Sequence, residues 1–313
     1  QLNWLGLDSG PLDSLVYTDA IDTVTTLHLA TGGTIWFPVY LSNLIGIEDF
    51  VLLDSLIVDQ ANLDSADFSN NLMLRSLKLS SVRSLDLTNN NALELIDIVL
   101  ASPTFSTSLN INGLTNLEIL QIQGLTGSLD VSTNANLWHL SLLYSQIISL
   151  NVMGAASLEY LDCSNNQLTN LDVSQAPALK MLKCDNNELV TLNLSSSIET
   201  LDCTNNKLTS LDLSMCVQYS GGLWCEDNEL TSLDLRTGTN MNMYPHAHNN
   251  FLQCVSVDSV DWSYINWPLV GPVSCFDPNV VFSANCSTSA IQEQITNKEL
   301  LKVTDLLGRE TKG

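Results

Sequence analysis

Two histidines separated by one residue, His246 and His248, are side chains whose spacing could support chemistry. In an extended strand such a pair places both imidazoles on one face. With Glu226 as a third ligand, the set has donors that suit zinc or copper. Pro245 and the irregular segment before it leave the register open, and the same residues also fit a metal-free surface. We predict no metal and no cofactor.

Catalysis has little support elsewhere in the sequence. The four histidines are scattered, and we find no Gly-rich phosphate loop, no nucleophile elbow and no His-Glu-x-x-His motif. Paired carboxylates carry little information, because 34 residues are acidic. We therefore predict that the protein is not an enzyme.

Aromatic residues are better candidates for a function. Trp224, with acidic and hydroxyl side chains near it in the pattern below, suits contact with a sugar ring or a protein hot spot. The alternative is a tryptophan that folds over the loop at residues 217–222. A second aromatic group, with the same two interpretations, consists of Trp138, His139 and Tyr160.

An internal repeat must position these side chains. Residues 158–173, LEYLDCSNNQLTNLDV, recur 21 residues later as LKMLKCDNNELVTLNL, and shorter copies follow. Each copy holds two Leu-x-Leu units, and this alternation is typical of a β-strand. One repeat cannot bury its own leucines, whereas stacked repeats form a continuous core and a parallel sheet. The sequence therefore predicts a mainly β solenoid with almost no helix.

The LxxLxLxxNxL pattern of these copies resembles the leucine-rich repeats, in their short bacterial class of about 21 residues. The resemblance covers roughly residues 22–258. It implies roughly ten turns, with a parallel sheet on one face and an extended or strand-like second wall. We expect an N-terminal cap at 1–21, the solenoid at 22–258, a C-terminal cap at 259–286, and a linker with a partial sorting tail at 287–313.

In this register, the middle residue of each first Leu-x-Leu unit points outward. We expect a ligand-binding patch where outward residues of consecutive strands lie about 5 Å apart. Its members are Asp202, Trp224, Glu226, His246 and His248.

Asparagine and cysteine recur at two further positions of the repeat. The asparagines should satisfy backbone groups where each strand turns away; they are Asn166, Asn187, Asn206, Asn228 and Asn250. Upstream, residues such as Ser145 take this place, which predicts a less regular N-terminal half. The cysteines in the inward slot are interpreted as small, buried, reduced side chains; they are Cys163, Cys184, Cys203 and Cys225.

A column of aspartate and asparagine follows the second wall. Through its middle, aspartates such as Asp130 and Asp172 alternate with asparagines such as Asn151 and Asn193. We infer a structural hydrogen-bonded ladder, since an amide donor then lies between like charges. The alternative is a calcium-binding strip, although calcium needs six or more converging oxygens.

The chain after residue 258 is rich in aromatic residues and ends this stretch at Cys286. It resembles the C-terminal closure of surface repeat proteins from the Bacteroidota. That resemblance implies a disulfide between Cys254 and Cys286, and leaves Cys216 and Cys275 either paired or free.

Residues 303–310, VTDLLGRE, resemble the start of the C-terminal sorting tail of type IX secretion in the same bacteria. An ordinary amphipathic terminal strand is the alternative. The resemblance implies a secreted or cell-surface protein, and the start at Gln1 rather than Met leads us to expect a processed, exported chain.

Charge excludes other classes of partner. The net charge of −23 gives no basic field for nucleic acid or an anionic membrane surface. The apolar runs are too short for membrane insertion. We expect a secreted, non-catalytic binding or adhesion protein that recognises an extracellular protein or glycan. The alternative is self-association into filaments, a sheath or a surface layer.

Overall fold

The computed structural model describes residues 23–30, 43–59, 62–100, 109–238, 243–267 and 275–286. It divides into an N-terminal unit, residues 1–195, and a C-terminal unit, residues 196–313. Both units consist of short parallel β-strands in turns of about 21 residues, as the sequence predicts. The expected N-terminal cap and sorting tail lie outside the described residues. No helix in the described ranges is long and apolar enough to cross a membrane.

The N-terminal unit contains, in chain order, strands β1 (Thr26–Ala30), β2 (Ser55–Asp59), β3 (Ala66–Asp67), β4 (Ser76–Val82), β5 (Leu85–Asp86), β6 (Leu95–Leu100), β7 (Ile119–Gln123), β8 (Thr126–Asp130), β9 (His139–Ser141), β10 (Gln146–Asn151), β11 (Tyr160–Asp162), β12 (Asn170–Asp172), β13 (Met181–Lys183) and β14 (Thr191–Asn193). A short 3-10 helix spans Ile47–Asp49. The main sheet has the order β1-β2-β4-β6-β7-β9-β11-β13, and three parallel pairs, β3–β5, β8–β10 and β12–β14, form the second wall.

Alternation in the Leu-x-Leu units fixes which side chains are buried. Leu140, Leu161 and Leu182 occupy equivalent positions of neighbouring strands and are fully buried. The residues between such leucines lie on the opposite face of the sheet. Burial of these columns supplies the hydrophobic free energy that stabilises each turn.

The C-terminal unit contains, in chain order, β15 (Thr200–Asp202), β16 (Ser210–Asp212), β17 (Gly222–Trp224), β18 (Ser232–Asp234), β19 (Tyr244–His246), β20 (Cys254–Ser256), helix α1 (Val260–Asn266) and β21 (Val281–Ser283). Strand β17 pairs in parallel with β15 and β19, and these three strands form the main sheet of this unit. The second wall has the order β16-β18-β20-β21.

Aromatic residues pack together near the C-terminal end of this unit. The Ser259 side chain caps α1 by accepting a hydrogen bond from the N–H of Trp262. Trp267 is fully buried, and its indole N–H donates to the carbonyl of Met243 at 3.1 Å. The rings of Phe276 and Phe282 pack against Trp267. The aromatic rings of this segment thus form one packed cluster.

The cysteines divide into one disulfide and six buried thiols. Cys254 and Cys286 form the disulfide that the resemblance implies, with 5.7 Å between their Cα atoms. The four inward cysteines of the repeat are fully buried thiols outside the disulfide, and Cys216 and Cys275 are buried thiols as well. Burial raises the pKa of the Cys163 and Cys225 thiols well above the usual range. These thiols therefore remain protonated and act as small apolar side chains.

The repeated asparagines hold adjacent turns together. The side-chain amide of Asn228 donates to the carbonyls of Cys203, Cys225 and Glu226, and its oxygen accepts the N–H of Leu208. Asn166 and Asn187 make the same type of contact in the N-terminal unit. Asn206 and Asn250 also bind backbone carbonyls of their own turns. Each side chain satisfies backbone groups that would otherwise be buried without partners.

The N-terminal half, which the sequence predicts to be less regular, has register shifts at Leu79/Val82 and Ile147/Ser149 and contains a second asparagine ladder. Asn71, Asn90 and Asn134 are fully buried where each turn leaves the second wall. The amide of Asn71 donates to the carbonyls of Ile47 and Phe50, and the other two bind the preceding turn in the same way. This half of the chain is therefore ordered by a different ladder.

The Asp/Asn column forms hydrogen-bonded turns. Oδ1 of Asp130 accepts the N–H of Ser132, and the same contact recurs along the column. Asn151 donates to Asp130 at 3.1 Å, which places an amide beside the carboxylate. Two pairs of aspartates are neighbours: at Asp212 and Asp234, Arg236 binds the second carboxylate, and at Asp67 and Asp86 each carboxylate accepts the N–H of the residue two positions later. These contacts agree with a structural ladder.

Candidate functional site

The candidate site lies on the main sheet of the C-terminal unit. Asp202, Trp224 and His246 occupy equivalent positions of strands β15, β17 and β19, as the repeat register predicts. Glu226 and His248 follow two residues later on the same face. We call these five residues the Trp224 patch.

The indole of Trp224 stacks on the ring of His246. The ring centroids are 6.1 Å apart and the planes differ by 7°. Trp224 is half-buried rather than exposed as the sequence reading expects, because the ring lies over Gly222. A Cβ on Gly222 would overlap the six-membered ring of the indole. The orientation of Trp224 therefore depends on glycine at position 222.

Another aromatic residue, Tyr219, holds the loop before β17. Its ring is fully buried, and its hydroxyl accepts the N–H of Leu201 and donates to the carbonyl of Gly222 at 2.7 Å. Burial raises its pKa well above the ordinary value. Tyr219 thus anchors the loop, and the indole of Trp224 lies over the end of the loop at Gly222.

Two polar atoms of the Trp224 patch have no hydrogen-bond partner. They are Oε2 of Glu226 and Nδ1 of His248, and both atoms are buried. The backbone contact from Asp227 N–H to the carbonyl of His248 places the two side chains on neighbouring strands. A buried polar atom without a partner costs about 1–3 kcal/mol. A ligand that hydrogen-bonds to these atoms would remove this cost.

Metal binding at the patch is not supported by the geometry. In the ranges that the structure describes, no three His, Cys, Asp or Glu side chains converge on a common point. The three-ligand set of Glu226, His246 and His248 does not form, because the His246 ring stacks on Trp224.

The second aromatic group lies in the N-terminal unit. His139 and Tyr160 are neighbours on β9 and β11 and stack with ring centroids 4.5 Å apart. Trp138 meets His139 edge-on and is 41% exposed. Met181 follows Tyr160 on the next strand. The structure therefore brings all three predicted residues together.

Hydrogen bonds within this second group use its polar atoms. Burial lowers the pKa of His139, and the amide nitrogen of Gln121 lies 3.2 Å from its Nε2. The Tyr160 hydroxyl donates to Asp162, and burial together with that carboxylate raises the pKa of Tyr160 to about 12. Asp162 also accepts the hydroxyl and N–H of Ser164. The group thus satisfies its own hydrogen bonds, unlike the Trp224 patch.

Sequence reasoning missed two residues that lie beside the Trp224 patch. Gly222 lies where other repeats carry a side chain, for example Tyr160 or Met181, and this difference is visible in the aligned repeats. Tyr244 is opposite Gly222 on β19 and is 62% exposed. It extends the aromatic surface beside the indole.

Solved structures with a similar fold are leucine-rich-repeat proteins. A leucine-rich-repeat protein of Leptospira interrogans matches with a TM-score of 0.57 and 20% identity, over 69% of this chain and 60% of that one. The functional domain of InlJ from Listeria monocytogenes, which includes a cysteine ladder, matches with a TM-score of 0.54 and 21% identity, over 86% of this chain and 65% of that one. The chain thus spans less than two thirds of either structure. No protein-family model and no curated protein matches it.

These likenesses define the fold. The chain is a leucine-rich-repeat solenoid, mainly β and parallel.

Proposed function

We propose that the protein is a non-catalytic binding or adhesion protein that recognises an extracellular protein or glycan at the Trp224 patch. The main support for this proposal is the indole of Trp224, which lies parallel to the His246 ring on the outward face of the sheet. Two buried polar atoms without hydrogen-bond partners, Oε2 of Glu226 and Nδ1 of His248, belong to the same patch. Aromatic side chains of this kind often dominate binding energy. The second aromatic group is the weaker candidate, because His139 and Tyr160 already have polar neighbours in Gln121 and Asp162.

We propose further that the protein is secreted or displayed on the cell surface of a member of the Bacteroidota, by the type IX route. Residues 303–310 support this proposal by their resemblance to a sorting tail. The disulfide between Cys254 and Cys286 fits an oxidising compartment. Fusion of residues 287–313 to a reporter in a bacterium with that secretion system would test the route.

Array binding tests the proposed function. The purified chain is applied to a glycan array and to an array of short peptides, and each hit is re-measured with the Trp224→Ala variant. We expect the variant to lose about thirtyfold in affinity, the equivalent of roughly 2 kcal/mol. Its melting temperature should stay near that of the parent, since the loop is anchored by Tyr219.

Trp138→Ala is the matched control, since it removes an outward tryptophan from the N-terminal unit. Hits that survive Trp138→Ala and disappear with Trp224→Ala support the proposal. Hits that survive Trp224→Ala, or that depend on Trp138 alone, contradict it.

A second candidate function, self-association, is favoured by a separate observation. Four aliphatic side chains on two consecutive turns of the N-terminal unit are about half exposed; they are Val51, Leu52, Leu72 and Met73. The amide of Asn71 binds the carbonyl of Phe50, so the two turns are adjacent. Such a contiguous apolar patch is unusual on a monomeric surface.

Sedimentation velocity distinguishes the two functions. If self-association is the function, the parent chain forms assemblies that grow with concentration, and Leu72→Glu with Met73→Glu abolishes them. A monomer at all concentrations rejects self-association and leaves ligand binding as the function.

A further inference from the structure

We propose that the ligand of the Trp224 patch is a protein segment that presents a basic side chain, arginine in preference to lysine. This inference rests on the function proposed above and specifies the chemistry of its ligand. Three features of the C-terminal unit support it: an unpaired carboxylate oxygen of Glu226, the fixed plane of the Trp224 indole and the excess of acidic residues.

The unpaired oxygen of Glu226 requires a hydrogen-bond donor. Oε2 belongs to a carboxylate, which only accepts hydrogen bonds when it is ionised. A guanidinium carries five N–H donors and no acceptor. Rotating the Glu226 carboxylate toward a ligand breaks no hydrogen bond at Oε2, because none is present. Binding would therefore satisfy an atom that the free protein leaves unpaired.

The aromatic plane suits a cation. The indole of Trp224 is held parallel to His246 and over Gly222, so its orientation exists before a ligand arrives. Cations bind the face of tryptophan better than that of other aromatic rings. The planar guanidinium also stacks on such a face, which an ammonium does not. The first fact favours a cationic ligand, and the second favours arginine over lysine.

The local charge is strongly acidic. Residues 196–286 contain ten aspartates and glutamates and two basic residues, Lys207 and Arg236. Arg236 binds the carboxylate of Asp234 on the second wall, away from the Trp224 patch. Complementary charge steers a cationic partner and repels an anionic one. A basic protein segment therefore fits this face better than an uncharged or acidic glycan.

Calorimetric titration of the full chain with a set of synthetic peptides tests the inference. The peptides share one Gly/Ser scaffold and carry arginine, lysine, citrulline or glutamate at the same positions. Citrulline is the decisive comparison, because it keeps the size and planarity of arginine and removes its charge. We expect arginine to bind best, lysine several-fold more weakly, and citrulline at least about tenfold more weakly, a difference of about 1.4 kcal/mol. Binding should also weaken between about 50 and about 300 mM salt, as charge screening requires.

Two charge-removing variants locate the effect. Glu226→Gln should weaken the arginine peptide about fivefold or more, within the range of a charge-assisted hydrogen bond. Glu229→Gln removes the same charge from an exposed side chain outside the patch and should have little effect. An equal loss in both variants would mean diffuse attraction and would overturn the inference.

The results also separate this inference from the proposed function. If arginine and citrulline peptides bind equally, or not at all, while array hits still depend on Trp224, the proposed function stands and the basic ligand is wrong. If neither the arrays nor the peptides depend on Trp224, both proposals fail.

Discussion

The indole of Trp224 lies over the backbone of Gly222, in the space that a Cβ at position 222 would occupy. Both residues belong to the three-residue strand β17 and face the same side of the sheet. The neighbouring strands carry Thr200 and Tyr244 around this position. Glycine and tryptophan in β17 thus act together to set the plane of the ring.

Gly222→Ala should therefore displace the indole without unfolding the chain. The φ angle of Gly222 is not in the left-handed region, so alanine fits the backbone, and the added methyl overlaps the ring instead. We expect the ligand affinity to fall by about tenfold, or roughly 1.4 kcal/mol. The measurement is binding of an array hit. Thr209→Ala, which changes an exposed side chain elsewhere in the unit, controls for substitution itself.

Thiol counting tests the division of the cysteines. The protein denatured without a reductant should show six reactive thiols, and two more after reduction, because only Cys254 and Cys286 are bonded. Ellman's reagent gives the count. A value below four without a reductant would mean that the inward column is oxidised, against the buried thiols of the structure.

Asn228→Ala should be far more destabilising than Thr209→Ala. The Asn228 side chain makes four hydrogen bonds to backbone groups, and its loss leaves buried carbonyls and the Leu208 N–H without partners. The expected cost is about 1–3 kcal/mol. Thr209 is exposed and serves as the control. Chemical denaturation of both variants gives the free energies of unfolding, and equal values would refute the ladder.

Asp130→Asn should keep the turn that follows β8 but remove its dependence on pH. Hydrogen bonds from Ser132 hold the pKa of Asp130 below its ordinary value. A carboxyl with a lowered folded pKa stabilises the protein above its unfolded pKa of about 3.9, and this contribution disappears as the pH falls through the folded value.

Melting temperatures measured between neutral pH and about pH 3 check this prediction. The difference between the parent and Asp130→Asn should shrink as the pH falls. Asp130→Ala should melt lower than Asp130→Asn throughout, because asparagine at Asn110 and Asn151 already accepts the same type of N–H bond. A constant difference between parent and Asp130→Asn would contradict the assignment.

Much of the fold follows from sequence periodicity. The Leu-x-Leu alternation predicts the strands, and the repeat length predicts which strands pair, because both are local patterns that stacking preserves. The aligned outward slot correctly places Trp224 beside His246. The second asparagine ladder, which contains Asn71, was not predicted. Other repeats carry Leu114 or Ala155 at the same position, so no constant residue marks it in the sequence.

Side-chain orientation was the less predictable part. The strand register places the residues of the Trp224 patch on one face. The exposed fraction of Trp224, however, depends on the missing side chain at Gly222, because the indole occupies that space. Likewise, the His-x-His spacing suggests a metal site, yet ring stacking turns His246 toward Trp224 instead. Such choices depend on contacts between strands, and a single repeat does not contain them.

The most direct test of ligand recognition at the Trp224 patch is an NMR titration that follows the indole N–H signals of the six tryptophans. The Trp224 signal is assigned with a Trp224→Phe variant, and the strongest array hit is added stepwise to the isotope-labelled chain. We expect the Trp224 signal to shift or broaden first, while the buried Trp267 stays unchanged. If the Trp224 signal is unaffected at saturation and Trp138 shifts instead, the ligand binds elsewhere and the account is wrong.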